Sequence, residues 1–306
     1  IFYNKNIYKF FYEMRFIKIL YSSFKNTPNI YKSLMGNDVI SNVTNNSRSE
    51  LHKNNWTISK GFYLLTDMII PTLPIHCPSW MPNIVKKTIF GGNSVYIEDK
   101  NYCNKNSEYF LFINGILTNE TILEQTLNLL RNKFNRPINC VFNKTDSLIM
   151  DLFEATIGKT TNDLTEVSHL TLSTVSKILL DENIDKLVII CHSQGTIIMS
   201  QVLQNLEKFG LDKEDLLKKM EIYAFANCSS QMKYVVKDYP YMEHFANEND
   251  IIAKMGCNYS PDIKDYIDIN GKIYIKENGY GHLFNSHYLE NFTNDYPLSN
   301  LNKYLK

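Results

Sequence analysis

The sequence lacks a long uninterrupted hydrophobic run. Its longest apolar stretch, GFYLLTDMIIPTLPI at residues 61–75, contains Asp67 and two prolines and is too short to span a membrane. Residues 1–24 carry five charged side chains among their aromatics, which interrupts the apolar core that a signal peptide needs. We therefore expect a cytoplasmic protein, with association to a membrane surface as the alternative.

Closely spaced cysteines are also missing. The six cysteines form no CxxC pair and no short grid with histidine, so neither a zinc site nor a dense disulfide framework is indicated. We expect reduced thiols and neither a metal nor a cofactor.

A net charge is absent as well, because 32 basic side chains balance 32 acidic ones. This balance argues against a nucleic-acid partner, since general nucleic-acid binders are usually basic. The charges are nevertheless unevenly distributed, with 13 basic and 6 acidic residues in positions 1–105. Two interpretations of this basic, aromatic-rich segment are open: a solvated surface, which is the commoner case, and peripheral contact with an anionic membrane or another partner.

From residue 108 onward, buried strands alternate with helices, whereas the preceding segment is irregular. This alternation predicts an α/β fold with a mostly parallel sheet and helices on both faces. We divide the chain into an N-terminal helical or irregular extension, 1–87, and an α/β catalytic domain, 88–306. The expected strands are 108–113, 138–142, 186–191, 221–226, 242–247 and 271–277. The expected helices are 119–134, 165–180, 195–209 and one starting within 285–292, preceded by weaker helices near 5–20, 58–70 and 79–88.

The segment IICHSQGTI, residues 189–197, places Ser193 at the turn between a buried strand and a helix. A sharp turn of this kind exposes a serine hydroxyl above the sheet, and Gly195 allows the helix to approach closely. The pattern is the G-x-S-x-G of a nucleophilic serine, except that Cys191 replaces the first glycine. The alternative is a structural one, in which Ser193 caps the helix and His192 packs beside it.

A nucleophilic serine needs a base and a carboxylate, and in parallel sheets such groups lie after the carboxyl ends of strands. Asp250 follows the expected strand 242–247, with Glu248 and Asp238 as rival carboxylates. His282 follows strand 271–277 in a loop flanked by glycines, with His287 as the rival base. We favour Asp250 and His282.

The negative charge that develops on a substrate oxygen needs backbone N–H donors. One is expected from Gln194, the residue after the nucleophile, and a second from Gly115 or Ile116 in the loop after the first strand. Asn114 is expected to orient that loop. On its own, the dipeptide Asn114–Gly115 would indicate an ordinary turn.

Five segments have the character of one family: LVIICHSQGTII, MEIYAFANCSS, EHFANENDIIAKMG, GKIYIKENGYGHLFNSHYL and FINGILTN. Together they resemble a largely uncharacterised group of fungal α/β-hydrolase proteins and, more loosely, chlamydial proteins with a similar serine motif. The resemblance covers roughly residues 88–298. It implies the α/β-hydrolase fold and a triad of Ser193, Asp250 and His282, and it implies no particular substrate. Within 141–158 it also implies that Asn143 and Thr145 end a strand near the site and that a helical stretch roofs it.

Three functions are consistent with these features. The first is a lipase-like or esterase-like serine hydrolase that cleaves an ester or thioester, with a lipid-like acyl ester as the first choice of substrate. The second is a binding or scaffold protein whose site has lapsed, suggested by Cys191 and by the unusual first hundred residues. The third is an acyltransferase that uses the same triad with an alcohol acceptor.

Overall fold

The computed structural model describes residues 15, 17–36, 45–52, 94–99, 107–115, 118–143 and 164–306. The helices expected near 58–70 and 79–88, most of the one near 5–20, and the roofing stretch after Asn143 lie outside the described residues. The division of the chain at residue 87 stays a prediction.

The described chain is organised around a seven-stranded sheet. Its spatial order is β1-β3-β2-β4-β5-β7-β9, in which only β1 runs antiparallel to its neighbour. A small second sheet pairs β6 with β8. The strands are β1 (Val95–Ile97), β2 (Glu108–Ile113), β3 (Asn139–Phe142), β4 (Lys186–His192), β5 (Met220–Phe225), β6 (Gln231–Met232), β7 (Tyr241–Asn247), β8 (Asp268–Ile269) and β9 (Lys272–Lys276).

Helices cover both faces of this sheet. They are α1 (17–25), α2 (Ile30–Met35), α3 (Glu120–Phe134), α4 (Glu166–Leu179), α5 (Gln194–Asn205), α6 (Glu214–Leu217) and α7 (Phe292–Asp295). The starts of α3 and α4 are set by Asn119 and Thr165, whose side chains accept hydrogen bonds from the free N–H groups of the first helical turn. Among the described residues, no helix is both long enough and apolar enough to cross a membrane.

The two cores explain why the central strands read as continuous apolar runs. Successive side chains of a strand point to opposite faces, so Val188 and Ile190 enter one buried cluster while Leu187 and Ile189 enter the other. Helix α3 packs on the first face, and α4 and α5 pack on the second. Strand β4, in the middle of the sheet, is thereby buried on both faces, which fixes the position of the turn that follows it.

Helices α1 and α2 pack onto the rest of the described chain through a third apolar cluster. Ile19 is fully buried there, in a cluster that also contains Ile197 of α5 and Ile251, the residue after the candidate acid. Helix α1 is therefore attached beside the candidate site.

The elements differ from the expected ones in several places. Helix α5 ends at Asn205 and a 3-10 turn, Glu207–Phe209, replaces its expected last turn. The expected closing helix begins as a π-helical segment, Phe284–Leu289, and becomes α-helical only in α7. Strand β1 was not expected, because three residues at a sheet edge, partly exposed, give too short a pattern to recognise.

Candidate active site

Ser193 lies at the turn between β4 and α5 in a strained backbone conformation. Its φ of 54° and ψ of −123° are unusual for a residue with a side chain, at a typical cost of about 1–3 kcal/mol. Two backbone hydrogen bonds hold Ser193 in this conformation. Its N–H donates to the backbone oxygen of Phe225 over 3.0 Å, and its backbone oxygen accepts from the Thr196 hydroxyl over 2.6 Å. The Ser193 side chain makes no helix-capping hydrogen bond. The structural alternative of a capping serine is therefore wrong.

Gly195 sits where the first turn of α5 crosses the end of β2. A Cβ atom at this position would lie 2.4 Å from the oxygen of Ile113 and 3.0 Å from that of Asn114. Both are backbone atoms of the sheet or of the residue after it, so they have little freedom to move. Glycine is required here for the close approach of helix and strand.

His282 connects Ser193 to Asp250. Its Nε2 lies 2.9 Å from Ser193 Oγ and its Nδ1 lies 2.8 Å from Asp250 Oδ2. A carboxylate only accepts hydrogen bonds, so Nδ1 carries the proton and Nε2 is left to accept from the serine hydroxyl. The arrangement suits the transfer of the serine proton to the imidazole.

The carboxylate of Asp250 is fully buried and held from several sides. Its Oδ1 accepts from the backbone N–H of Ile252 over 2.9 Å, and its Oδ2 accepts from the Tyr288 hydroxyl over 2.6 Å as well as from His282. These bonds fix the orientation of the carboxylate, and through it the orientation of the imidazole.

The rival residues lie elsewhere. The His287 ring packs against Gly281, and its Nδ1 accepts from the N–H of Leu283 over 3.0 Å. Glu248 accepts from the N–H of Asn278 over 2.6 Å, and Asp238 is exposed in a turn. The choice of Asp250 and His282 from the sequence is thus the pair that the fold brings to Ser193.

The expected oxyanion donors are partly within the described residues. Gln194 is the first residue of α5, so its N–H has no acceptor within the helix. Gly115 approaches Ser193 so closely that a Cβ on it would lie 2.8 Å from the Ser193 Cβ. Asn114 anchors this loop, since its Nδ2 donates to the oxygen of Gly115 over 2.7 Å and its Oδ1 accepts from the N–H of Asn143 over 2.8 Å. Ile116 and Thr145 lie outside the described residues.

His192 supports the base through both a hydrogen bond and ring contact. Its Nε2 donates to the backbone oxygen of His282 over 2.9 Å, and the two imidazole rings lie 4.8 Å apart. Burial, and secondly the nearby His282, hold the pKa of His192 well below its ordinary value. His192 is therefore neutral and acts as a hydrogen-bond donor at physiological pH.

Cys191 fills the position where the serine motif has glycine. Its thiol is fully buried in the core beside β5, with Sγ 3.8 Å from the oxygen of Tyr223. Burial raises the pKa of this thiol above its ordinary value, so it stays protonated and unreactive. The substitution is accommodated by the core and leaves the turn intact.

Tyr288 and the contacts of helix α2 were not among the residues expected at the site. Ser33 in α2 accepts a hydrogen bond at Oγ from the N–H of Ile251 over 2.5 Å, and the oxygen of Leu34 accepts from the N–H of His282 over 2.9 Å. One helical turn therefore holds the backbone beside both the acid and the base. Only a tyrosine six positions after His282 offered a local signal, and nothing local indicated the roles of Ser33 and Leu34.

Glu50 makes a second contact, with the π-helical segment that follows His282. Its carboxylate accepts from the N–H of Asn285 over 2.6 Å and from the Ser286 hydroxyl over 3.4 Å. Burial raises the pKa of Glu50 to about 7, although these hydrogen bonds oppose the rise. Near neutral pH its carboxyl is thus partly protonated.

Within the ranges that the structure describes, no cluster of His, Cys, Asp or Glu is arranged to hold a metal ion. The four described cysteines, Cys140, Cys191, Cys228 and Cys257, are buried free thiols. Among the residues that the structure describes, those placed for chemistry at this edge of the sheet contribute the hydroxyl, imidazole, carboxylate and backbone N–H groups given above.

The α/β-hydrolase fold is defined by a mostly parallel sheet with a strained serine at the turn after a central strand. An acid and a histidine follow on later loops, in the chain order Ser, Asp, His. The structure has each of these features, so the chain has the α/β-hydrolase fold. Residues 104–232 match the model of a family described as "Putative serine esterase (DUF676)". Fold and family match together support an ester-hydrolase activity.

Solved structures similar to the chain include two hydrolases. A dienelactone hydrolase from Anabaena variabilis ATCC 29413 is 8% identical with a TM-score of 0.38, over 64% of this chain and 90% of that one. An esterase from Pyrobaculum calidifontis is 9% identical with a TM-score of 0.37, over 69% and 80% of the two chains. The strand order and the Ser193 turn define the fold independently of these distant likenesses. The comparison with curated proteins finds no match, and the resemblance to fungal and chlamydial proteins stays a prediction.

Proposed function

We propose that the protein is a serine hydrolase that cleaves carboxylic esters or thioesters through an acyl-enzyme intermediate. The observation that carries this proposal is the continuous hydrogen-bonded chain from Ser193 Oγ through His282 to the buried Asp250. A serine hydroxyl that is hydrogen-bonded to an imidazole, which is in turn hydrogen-bonded to a carboxylate, is the arrangement that makes an alcohol nucleophilic at neutral pH.

In the first half of the reaction, Ser193 Oγ attacks the carbonyl carbon of the ester while its proton passes to His282 Nε2. The carbonyl oxygen takes up the negative charge and accepts hydrogen bonds from the N–H groups of Gln194 and Gly115. When the intermediate collapses, the bond to the leaving alcohol or thiol breaks. That group departs with the proton from His282, and the acyl group stays on Ser193.

In the second half, water takes the place of the leaving group. His282 accepts a proton from water, which attacks the acyl carbon, and the Ser193 oxygen leaves with that proton. Asp250 accepts the hydrogen bond from His282 Nδ1 and stabilises the imidazolium form of His282. Ser193 is 1% exposed, so its hydroxyl lies among neighbouring side chains rather than on the open surface.

A lapsed site is less well supported than a working one. One of the two reasons to consider it was Cys191, and that thiol fits the core without disturbing the serine turn. The other was the composition of the first hundred residues, most of which lie outside the described residues. Backbone strain at Ser193 also costs stability, and strain of this kind is typical of functional sites.

Hydrolysis of p-nitrophenyl esters tests the proposal directly. The full chain is assayed with acyl groups graded from acetate to laurate, and we expect saturable hydrolysis that favours the longer, lipid-like chains. The His282→Gln variant should lower the rate by several orders of magnitude, whereas His169→Gln, which changes an exposed histidine on α4, should leave the rate unchanged.

Two results would contradict this assignment. One is a folded protein that hydrolyses none of the esters above the rate in buffer. The other is a rate that depends on an added alcohol, with a new ester and no free acid as the product, which would make the protein an acyltransferase.

A further inference from the structure

The N-terminal segment, residues 15–36, presents an apolar stripe to solvent. In α1, Ile17, Tyr21 and Phe24 are 54%, 67% and 45% exposed. Their spacing of four and then three residues places them on one face of the helix. Ile30 and Tyr31 at the start of α2 are exposed as well, so the apolar surface continues past the turn between the helices.

Lysines accompany this apolar stripe. Lys18, Lys25 and Lys32 are exposed, and the sequence of the segment contains no aspartate or glutamate. An apolar helix face combined with lysines and without acidic residues is the composition of helices that lie in the interface of an anionic membrane. A partner protein would need to supply an acidic surface with a hydrophobic centre to match it equally well.

The opposite face of α1 is fixed to the domain, so the exposed stripe does not result from fraying. Ile19 is fully buried, and the Ser22 hydroxyl donates to Asp262 Oδ1 over 2.9 Å. At the end of the helix, Lys254 Nζ donates to the oxygen of Asn26 over 2.6 Å. The apolar side chains therefore face solvent in a defined orientation.

The exposed stripe is also joined to the candidate active site. Helix α2 carries Tyr31 on the exposed side, and its Ser33 and Leu34 hydrogen-bond the backbone of Ile251 and His282. A surface bound to α1 and α2 would thus lie next to the loops of the acid and the base.

We propose that the exposed face of α1 and α2 binds an anionic lipid surface. This docking face consists of five apolar residues and three lysines: Ile17, Tyr21, Phe24, Ile30 and Tyr31 with Lys18, Lys25 and Lys32. The tyrosine, phenylalanine and isoleucine side chains enter the interfacial region while the lysines contact acidic headgroups. Resting on the proposed function, the substrate is then an acyl ester of a lipid, taken from the bound surface.

Vesicle flotation with the full chain tests the docking face. The probes are vesicles of phosphatidylcholine alone and vesicles in which phosphatidylserine replaces about one third of it. We expect binding to the anionic vesicles, weakened by high salt, because screening reduces the attraction of lysines to headgroups. The double variant Lys25→Gln/Lys32→Gln removes two positive charges and should weaken this binding by about tenfold or more. Tyr21→Ser/Phe24→Ser should weaken it by at least as much.

Matched control variants change the same chemistry elsewhere on the surface. Lys177→Gln/Lys213→Gln removes two exposed lysines, and Phe209→Ser/Leu298→Ser removes two exposed apolar side chains. Both controls should bind anionic vesicles as the unchanged protein does.

The inference is overturned if the unchanged chain floats with neither vesicle, or if the controls lose as much binding as the docking-face variants. It is also overturned if Tyr21→Ser/Phe24→Ser alters the mass of the protein in solution and not its flotation, since the face would then join two protein chains. Flotation needs no catalysis, and Ser193→Ala should float normally. Failure to bind lipid is therefore distinct from failure to hydrolyse esters.

Discussion

Replacing Ser193 with alanine is expected to lower kcat/KM for ester hydrolysis by roughly three to six orders of magnitude. The hydroxyl is the only group lost, and among the described residues it is the group placed to bond the carbonyl carbon while His282 accepts a proton at 2.9 Å. What remains should be the modest rate supplied by the oxyanion donors and by binding. Steady-state kinetics with the preferred p-nitrophenyl ester measures the loss.

The fold should survive this substitution. Alanine relieves no clash and removes no helix cap, because the Ser193 side chain caps nothing. Ser173→Ala, at an exposed position on α4, is the matched control and should retain full activity. A Ser193→Ala protein that is folded and hydrolyses esters at an ordinary rate would show that another nucleophile performs the reaction.

The second large effect is expected from Gly195→Ala, and it concerns stability. Helix propensity alone would favour alanine at this position by up to about 1 kcal/mol. The new Cβ, however, would lie 2.4 Å from the oxygen of Ile113, a backbone atom of β2. Neither the sheet nor the first turn of α5 moves easily, so we expect the clash to prevail and to lower the free energy of unfolding by about 3 kcal/mol or more.

Urea unfolding measures this change, and Gly210→Ala is its control. Gly210 has a positive φ of 68°, but a Cβ added there would meet no atom of the described residues within 4 Å, so alanine suffers only backbone strain. That strain costs about 1–2 kcal/mol. A Gly195→Ala protein as stable as the unchanged chain would mean that α5 does not approach β2 as closely as described.

The sequence predicted the central strands well because burial on both faces leaves a recognisable signal. Residues 108–113 and 186–191 are uninterrupted or nearly uninterrupted apolar runs, and the structure has β2 and β4 there. The edge strand β1 and the π-helical segment Phe284–Leu289 were missed, since neither has a simple periodicity.

Part of the candidate site could be predicted because the carboxyl ends of parallel strands meet at one edge of a sheet, and residues that follow those ends are brought together. Ser193, Asp250 and His282 each follow a strand, and that rule selects them over His287, which lies beyond the loop. The carboxylate partner Tyr288 and the backbone contacts of Ser33 and Leu34 depend on contacts between distant parts of the chain, which no local pattern records.

The most direct measurement is covalent labelling with a fluorophosphonate, followed by mass spectrometry of the modified peptide. A serine that is made nucleophilic by His282 and Asp250 should react once per chain, at Ser193, and Ser193→Ala should stay unlabelled. A folded protein that takes up no label, or takes it up at a residue other than Ser193, would contradict the account.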